Sequence, residues 1–179
     1  MKKMILSAVM LVFAASGRAQ EAGAASPTEH NEWLTTFEAV AVDADLDIKF
    51  VKVPDTEAPK IVYDTKGSYT TKFRAEVKDK TLRISERPDS RRPDRTEVTV
   101  YYNTLQSVSL SGAAAVFEGT VDAVQLDLTL GRKASLTAAF DVKDLRMELT
   151  GGSSATLTGK ASYLTLSLIH ISEPTRHSL

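Results

Sequence analysis

The C-terminal half of the chain repeats itself, and this repeat constrains the fold more than any other feature. Each copy contains an alternating apolar segment, a glycine and a second alternating segment. The copies occupy residues 108–119, 126–138 and 147–159, and a fourth begins at Tyr163. If Leu110, Leu128 and Leu149 are equivalent, the spacings are 18 and 21 residues. This period is too short for helical repeats and predicts the stacked coils of a β-solenoid. A β-sandwich with chance internal similarity is the alternative.

Stacked coils would bring equivalent residues into columns about 4.8 Å apart. Three inward columns are predicted: Val108 with Leu126, Met147 and Leu164; Leu110 with Leu128 and Leu149; and Phe117 with Leu136 and Leu157. Small residues would lie where the coil narrows, at Ala115, Ala134 and Ala155. An outer hydroxyl ladder is predicted at Ser111, Thr129 and Thr150, with corners at Gly112, Gly131 and Gly151.

The preceding part of the chain reads as shorter strands. Residues 40–50 alternate apolar and polar side chains, and the phase slips at Val51, which indicates a bulge. A hairpin is predicted with its turn at Asp79 and Lys80, followed by a charged loop over residues 86–97. The predicted fold class is therefore all-β: a β-solenoid or right-handed β-helix-like repeat domain, preceded by an antiparallel β N-terminal part.

The N-terminus has the pattern of a secretory signal peptide. Lys2 and Lys3 precede an apolar run over residues 4–15, and small residues at Gly17 and Ala19 favour cleavage before Gln20. A membrane anchor is the alternative, although the run is short for a bilayer. We expect a signal peptide at 1–19, a flexible linker at 20–32 and a protein exported to the periplasm, the outer-membrane surface or the medium.

The composition excludes several kinds of site. The chain has no cysteine, so disulfides, thiol catalysis and Cys-based zinc sites are ruled out. Its histidines are His30, His170 and His177, in no metal-binding spacing. Without the leader it carries 19 basic and 23 acidic residues, a poor balance for nucleic acid. We expect no catalytic, metal or cofactor-binding residues.

Two acidic patterns are candidates for a cation site or an acid–base pair. Asp43, Asp45 and Asp47 superficially resemble a calcium loop, but Ile48 replaces the glycine of its sixth position, so a strand with an acidic outer face is predicted. Asp127 and Glu148 would lie on adjacent coils, where two carboxylates could bind a cation or act as acid and base on a polysaccharide. A solvated outer face is the simpler interpretation.

Arginines and tyrosines offer two further candidates. The loop arginines could bind polyanions, although nearby acids balance them; they are Arg87, Arg91, Arg92 and Arg95. Tyr69, Tyr101 and Tyr102 could stack on sugars. Of two adjacent tyrosines in a strand, one must face outward.

Several short motifs occur in an order that resembles a known family. They are Asp-Leu-Asp-Ile-Lys at 45–49, Val-Lys-Asp-Lys-Thr-Leu at 77–82, Leu-Ser-Gly at 110–112 and Leu-Thr-Gly-Gly-Ser-Ser-Ala-Thr-Leu at 149–157. The order resembles the head GIN domain of auto-transporter adhesins from Gram-negative bacteria. The resemblance covers about residues 37–165, although the family's Ser-Gly-Ser-Gly corners are altered here. It implies a β-helix-like fold at the cell envelope and brings no catalytic residues.

The expected function is a non-catalytic, exported binding or adhesion module. Its partner would be a surface glycan or an envelope protein, with no nucleic acid and no transmembrane segment after cleavage. A β-helix enzyme acting on polysaccharides and a structural envelope protein without a small ligand are the alternatives.

The last residues break the repeat. Residues 166–176 match one reading frame of a transposase adapter used to prepare sequencing libraries, and Pro174 would break a strand. We therefore expect that 166–179 is not native and that the β domain, 33–165, is truncated at its C-terminus. Resequencing the locus without that adapter tests this expectation.

Overall fold

The computed structural model describes residues 29–66, 72–88 and 94–169, which form one curled, open β-sheet of eleven strands. The all-β prediction is confirmed, and no helix occurs in these ranges. The predicted β-solenoid or β-helix is not confirmed, because the strands belong to one open sheet. The strands are β1 (Glu29–Trp33), β2 (Ala39–Asp43), β3 (Leu46–Lys52), β4 (Lys60–Asp64), β5 (Phe73–Lys78), β6 (Thr81–Glu86), β7 (Thr96–Tyr102), β8 (Ser107–Ser111), β9 (Ala114–Gly131), β10 (Ser135–Thr150) and β11 (Ser154–Ile169).

The strand order is β1-β4-β7-β3-β9-β8-β2-β6-β5, and β10 pairs with β9 and β11. Antiparallel pairs are β1–β4, β4–β7 and β5–β6. The N-terminal part is thus mixed, and the predicted antiparallel arrangement is only partly right. β2 and β3 lie parallel to β8 and β9 because their apolar positions extend the same rows: Val42 lies beside Leu110, and Phe50 beside Phe117.

The long strands β9, β10 and β11 run parallel in register, but the predicted columns are wrong by two residues. Leu110 lies beside Leu130, which lies beside Leu149, so the spacings are 20 and 19 residues. Leu128 lies between Val108 and Met147. Side chains alternate with period two, so a shift of two residues keeps every apolar residue inward. The sequence pattern therefore cannot separate the two registers.

The second half of each repeat shows similar corrections. Leu136 lies beside Ala115 and Ala155, and Ala138 lies beside Leu157, so the predicted Phe117–Leu136–Leu157 column does not form. The hydroxyl ladder does not form either, because Gly131 lies beside Ser111 and Thr129 lies beside Ser109. Each of these residues keeps the predicted face and changes its neighbours.

The corners use left-handed backbone at five described positions, one of which is Gly152 with φ of 73°. Gly112 and Gly151 have φ of 85° and 57°, as a corner glycine is expected to have. At the middle corner the left-handed residues are Arg132 and Lys133, with φ of 49° and 62°. Long strands also bend at glycines, β9 at Gly119 and β11 at Gly159.

The inner face of the curled sheet holds the core. Phe50 stacks on Phe117 with ring centroids 4.5 Å apart and meets Tyr102 edge-on. Burial continues along the sheet as far as Met147 on β10. Leu149 and Leu157 are half-buried, and the inward positions of β11 beyond them are exposed.

Two of the predicted domain boundaries fall within strands of the structure. Residues 29–32, part of the predicted linker, belong to β1, because main-chain pairing with β4 outweighs their polar composition. β11 runs through Ile169, past the predicted junction at 165, and the origin of residues 166–179 stays a prediction. The predicted signal peptide lies outside the described residues. Within the described ranges no helix is long and apolar enough to cross a membrane.

Candidate binding surface

Three side chains from three neighbouring strands form a row on the outer face near one sheet edge. Trp33 on β1 pairs in register with Lys60 on β4, and Lys60 pairs with Tyr101 on β7. Lys60 and Tyr101 are outward positions, since their sequence neighbours Ile61 and Val100 are buried. Trp33 shares their face because it pairs in register with Lys60. We call these three residues the aromatic row. It brings together residues from distant parts of the sequence.

The Lys60 ammonium lies between the two rings. Its Nζ is 5.5 Å from the centroid of Trp33 and 4.5 Å from that of Tyr101. These are cation–π distances, and the ring faces attract the charge. No carboxylate of a described residue forms an ion pair with Lys60, so its charge is not neutralised by an acid there. Trp33 remains 66% exposed, which leaves most of its ring available for contact.

The edge strand β1 that carries Trp33 is held by its inward side chains. His30 stacks on Tyr63 at 5.1 Å, and Tyr63 stacks on Phe73 at 4.3 Å. The Tyr63 hydroxyl donates a hydrogen bond to Glu32 Oε1 at 2.7 Å. Burial, and then this bond to Glu32, raise the pKa of Tyr63 to about 12. His30 is thus exposed on β1 and stacks on a ring of the neighbouring strand β4.

The register neighbours of Tyr101 lead across the sheet to a glutamate that is ion-paired. Val51 lies beside Tyr101, and Glu118 lies beside Val51. Glu118 forms an ion pair with Lys49, and this hydrogen bond and charge raise the pKa of Lys49. Glu118 is therefore compensated, and Lys60 is the charge of this row without an acidic partner among the described residues.

The acidic face at Asp43, Asp45 and Asp47 is neutralised by arginines. Arg95 reaches both Asp45 and Asp47, the latter at 3.0 Å, and Arg132 lies 2.9 Å from Asp43. No group of three metal-ligating side chains occurs among the described residues. Of the four loop arginines, Arg91 and Arg92 lie outside the described residues, as does Tyr69.

Asp127 and Glu148 do not lie beside each other. Asp127 pairs in register with Arg146, and Glu148 with Thr129, again because the true register differs by two residues. Gln125 donates a hydrogen bond to Asp127 Oδ2 at 3.0 Å, and Oδ1 is buried without a hydrogen-bond partner. The two carboxylates are therefore diagonal neighbours on adjacent strands and not a register pair.

An apolar groove of about 470 Å³ lies where the core opens between β10 and β11. On β10 it is lined by Leu145, Met147 and Leu149, and on β11 by Leu157 and Leu164 among others. Leu145 and Leu164 are in register, so the groove continues the inner face of the sheet. It has the surface chemistry of a site for an apolar ligand or a further strand.

The family comparison decides what this sheet is. Residues 36–170 match the model of the family described as "Putative auto-transporter adhesin, head GIN domain". The chain belongs to this family. The resemblance seen in the sequence motifs is thereby confirmed, and no curated protein matches the chain.

Solved structures share the head GIN domain's fold with this chain at low identity. A putative lipid binding protein from Parabacteroides distasonis has a TM-score of 0.66 and 12% identity, over 78% of this chain and 61% of its own. A putative adhesin from the same species has 0.58 and 18%, over 79% and 69%. A putative adhesin from Bacteroides fragilis has 0.52 and 11%, over 79% and 96%. The chain thus spans less than two thirds of the first relative's length.

Sequence reasoning on this head GIN domain found one member of the aromatic row and missed two. Of the adjacent tyrosines, Tyr101 faces outward and Tyr102 is buried, as strand alternation requires. The sequence carries no signal for Lys60, and it predicts Trp33 only as the first residue of the β domain, 33–165. The signal that could have found Trp33 is its polar surroundings in 29–32, where a single tryptophan has no apolar partners.

Proposed function

We propose that this head GIN domain is a non-catalytic, exported binding module of the bacterial envelope that engages its partner through the aromatic row. The exposed ring of Trp33 beside Lys60 is the observation that carries the proposal. Trp and Tyr are enriched among the residues that carry most of the energy of a binding surface, and their ring faces can hold a cation beside them. Export rests on the signal-peptide pattern at 1–19, and the family name supports a surface role.

The position of the row suits a binding surface. Its three residues lie on paired strands, so main-chain hydrogen bonds fix the backbone that carries them before a partner binds. The ring of Trp33 is held at the edge by main-chain pairing of β1, including the bond from the Leu34 amide to the Pro59 carbonyl at 2.9 Å. A partner approaching this edge meets an aromatic face and a cation together.

Sedimentation with bacterial envelope fractions tests the proposal. The purified chain should co-sediment with envelopes, and Trp33→Ala should reduce the bound fraction at least about tenfold, as loss of a central aromatic contact does. Tyr163→Ala is the matched control, because Tyr163 is 74% exposed on β11, outside the row. Equal binding of both variants and the parent would contradict the proposal.

An apolar ligand is a second candidate, favoured by the groove between β10 and β11. Its lining of leucines and Met147 suits a hydrocarbon chain, and one structural neighbour is named a putative lipid binding protein. Titration with a fluorescent fatty acid would show saturable binding that survives Trp33→Ala and is lost in Leu164→Lys. A signal that Leu164→Lys leaves unchanged would exclude this groove as the site.

A further inference from the structure

We propose that the aromatic row recognises a carboxylated polysaccharide, with a sugar ring stacked on Trp33 and its carboxylate paired with Lys60. The inference rests on the proposed function, since it names the ligand class of the same surface.

The charge of Lys60 sets the sign of the ligand. Four other lysines of the described residues have carboxylates within 4 Å; they are Lys49, Lys52, Lys66 and Lys80. Lys60 is held by ring faces, which attract the ammonium but accept no strong hydrogen bond from it. Its N–H donors are therefore available to an anion, and a carboxylate would form a charge-assisted hydrogen bond.

The dimensions of the row suit a sugar unit. Three neighbouring strands place Trp33, Lys60 and Tyr101 across about 10 Å. A pyranose ring has an apolar C–H face that packs on an aromatic ring, as other apolar surfaces do. A carboxylate on the same sugar would then reach Lys60 on the adjacent strand.

The surrounding charges favour one carboxylate per sugar over a dense polyanion. Glu118 closes the row on one side, and Glu29 lies on the outer side of the same edge strand as Trp33. The chain as a whole carries a formal net charge of −1. A nucleic acid or a highly sulfated glycan would need more cations than this face supplies. A uronate-type polysaccharide needs one.

The single tryptophan makes the test direct, because all tryptophan fluorescence reports on Trp33. The chain is titrated with polygalacturonate, neutral dextran, dextran sulfate and a thymidine oligonucleotide. We expect a saturable fluorescence change with polygalacturonate and at least about tenfold weaker responses to the others. Binding should weaken as salt rises from about 50 mM to about 500 mM, since an ion pair at an exposed site is screened.

Variants separate charge from fold. Lys60→Gln should weaken polygalacturonate binding about tenfold, the effect of one lost charge-assisted hydrogen bond. Lys60→Arg retains the charge and the ring contacts and should retain binding. Lys78→Gln is the control, an exposed lysine on β5 at the opposite edge of the sheet.

The outcomes separate the ligand class from the proposed function. Equal responses to polygalacturonate and dextran, or an unchanged affinity in Lys60→Gln, would overturn the inference. If no polysaccharide binds but envelopes still retain the chain through Trp33, the ligand class is wrong and the proposed function stands. If Trp33→Ala also leaves envelope binding unchanged, both fall.

Discussion

Gly159 on β11 lies against the backbone of Phe140 on β10, with φ of 131°. A Cβ atom at Gly159 would overlap the carbonyl oxygen of Phe140, so an alanine cannot be accommodated without moving β11. We predict that Gly159→Ala detaches β11, and that amide hydrogens over 154–169 exchange much faster with solvent.

Gly119 on β9 provides the matched control for the Gly159→Ala variant. It has a positive φ of 83°, but a Cβ atom there meets nothing within 4 Å. Gly119→Ala should cost about 1 kcal/mol for the left-handed backbone and leave exchange in β11 unchanged. Equal amide exchange rates over 154–169 in the two variants would contradict the close approach of Gly159 to the Phe140 backbone.

The burial of Leu128 makes a prediction about the core. Leu128 is 2% exposed between Val108 and Met147, so Leu128→Ala leaves a cavity and should lower the free energy of unfolding by about 3 kcal/mol. Val124 is 71% exposed on the same strand, and Val124→Ala should change it by less than about 0.5 kcal/mol. Denaturant titration of both variants measures the difference, and similar losses would contradict the assigned faces.

Tyr102 predicts how stability falls at high pH. Burial, and then the Asp122 carboxylate, raise its pKa to about 12 from an ordinary value of 10. Because the folded state favours the neutral phenol, this stabilisation is complete below pH 10 and is lost as the pH rises from 10 to 12. Tyr63 acts in the same sense.

Tyr102→Phe removes this titration. The variant should lose less of its free energy of unfolding than the parent between about pH 9 and about pH 11.5, measured by denaturant titration at each pH. Tyrosinate absorbance in the folded parent should show phenols that ionise near pH 12. A variant with the same loss as the parent would show that Tyr102 is not buried.

The acidic face predicts an absence of calcium dependence. Arg95 and Arg132 already pair with Asp43, Asp45 and Asp47, so a cation would have to displace guanidinium groups. The midpoint of thermal unfolding should be unchanged by millimolar calcium or by a chelator. An increase with calcium that Asp45→Asn abolishes would contradict the assignment of this face as arginine-paired.

Much of the fold followed from the alternation of side chains. It predicted strands, the inward face of Leu110, Leu128 and Leu149, and the repeat in the C-terminal half. The choice of neighbours needed more, because strand pairing is set by main-chain hydrogen bonds and by corner lengths. A shift in register between Thr137 and Ala139 adds a further offset that no apolar pattern records. The same offset separates Asp127 from Glu148.

The candidate site was harder to predict than the fold. Trp33, Lys60 and Tyr101 meet because β1, β4 and β7 are adjacent, and that order is not the order of the chain. The strand β1 is polar on both faces apart from Trp33, so its pairing with β4 leaves no periodic signal. A surface formed by side chains on three non-consecutive strands is visible only once the topology is known.

Trp33 is the residue that we propose to lie in the contact between this head GIN domain and an envelope partner. Acrylamide quenching of its fluorescence tests this most directly, since Trp33 is the single tryptophan and is 66% exposed in the free chain. In the presence of saturating envelope fractions, we predict that quenching falls severalfold, because the partner covers the ring. Quenching that stays unchanged while the chain is fully bound would place the contact elsewhere on the chain and contradict the proposed role of Trp33.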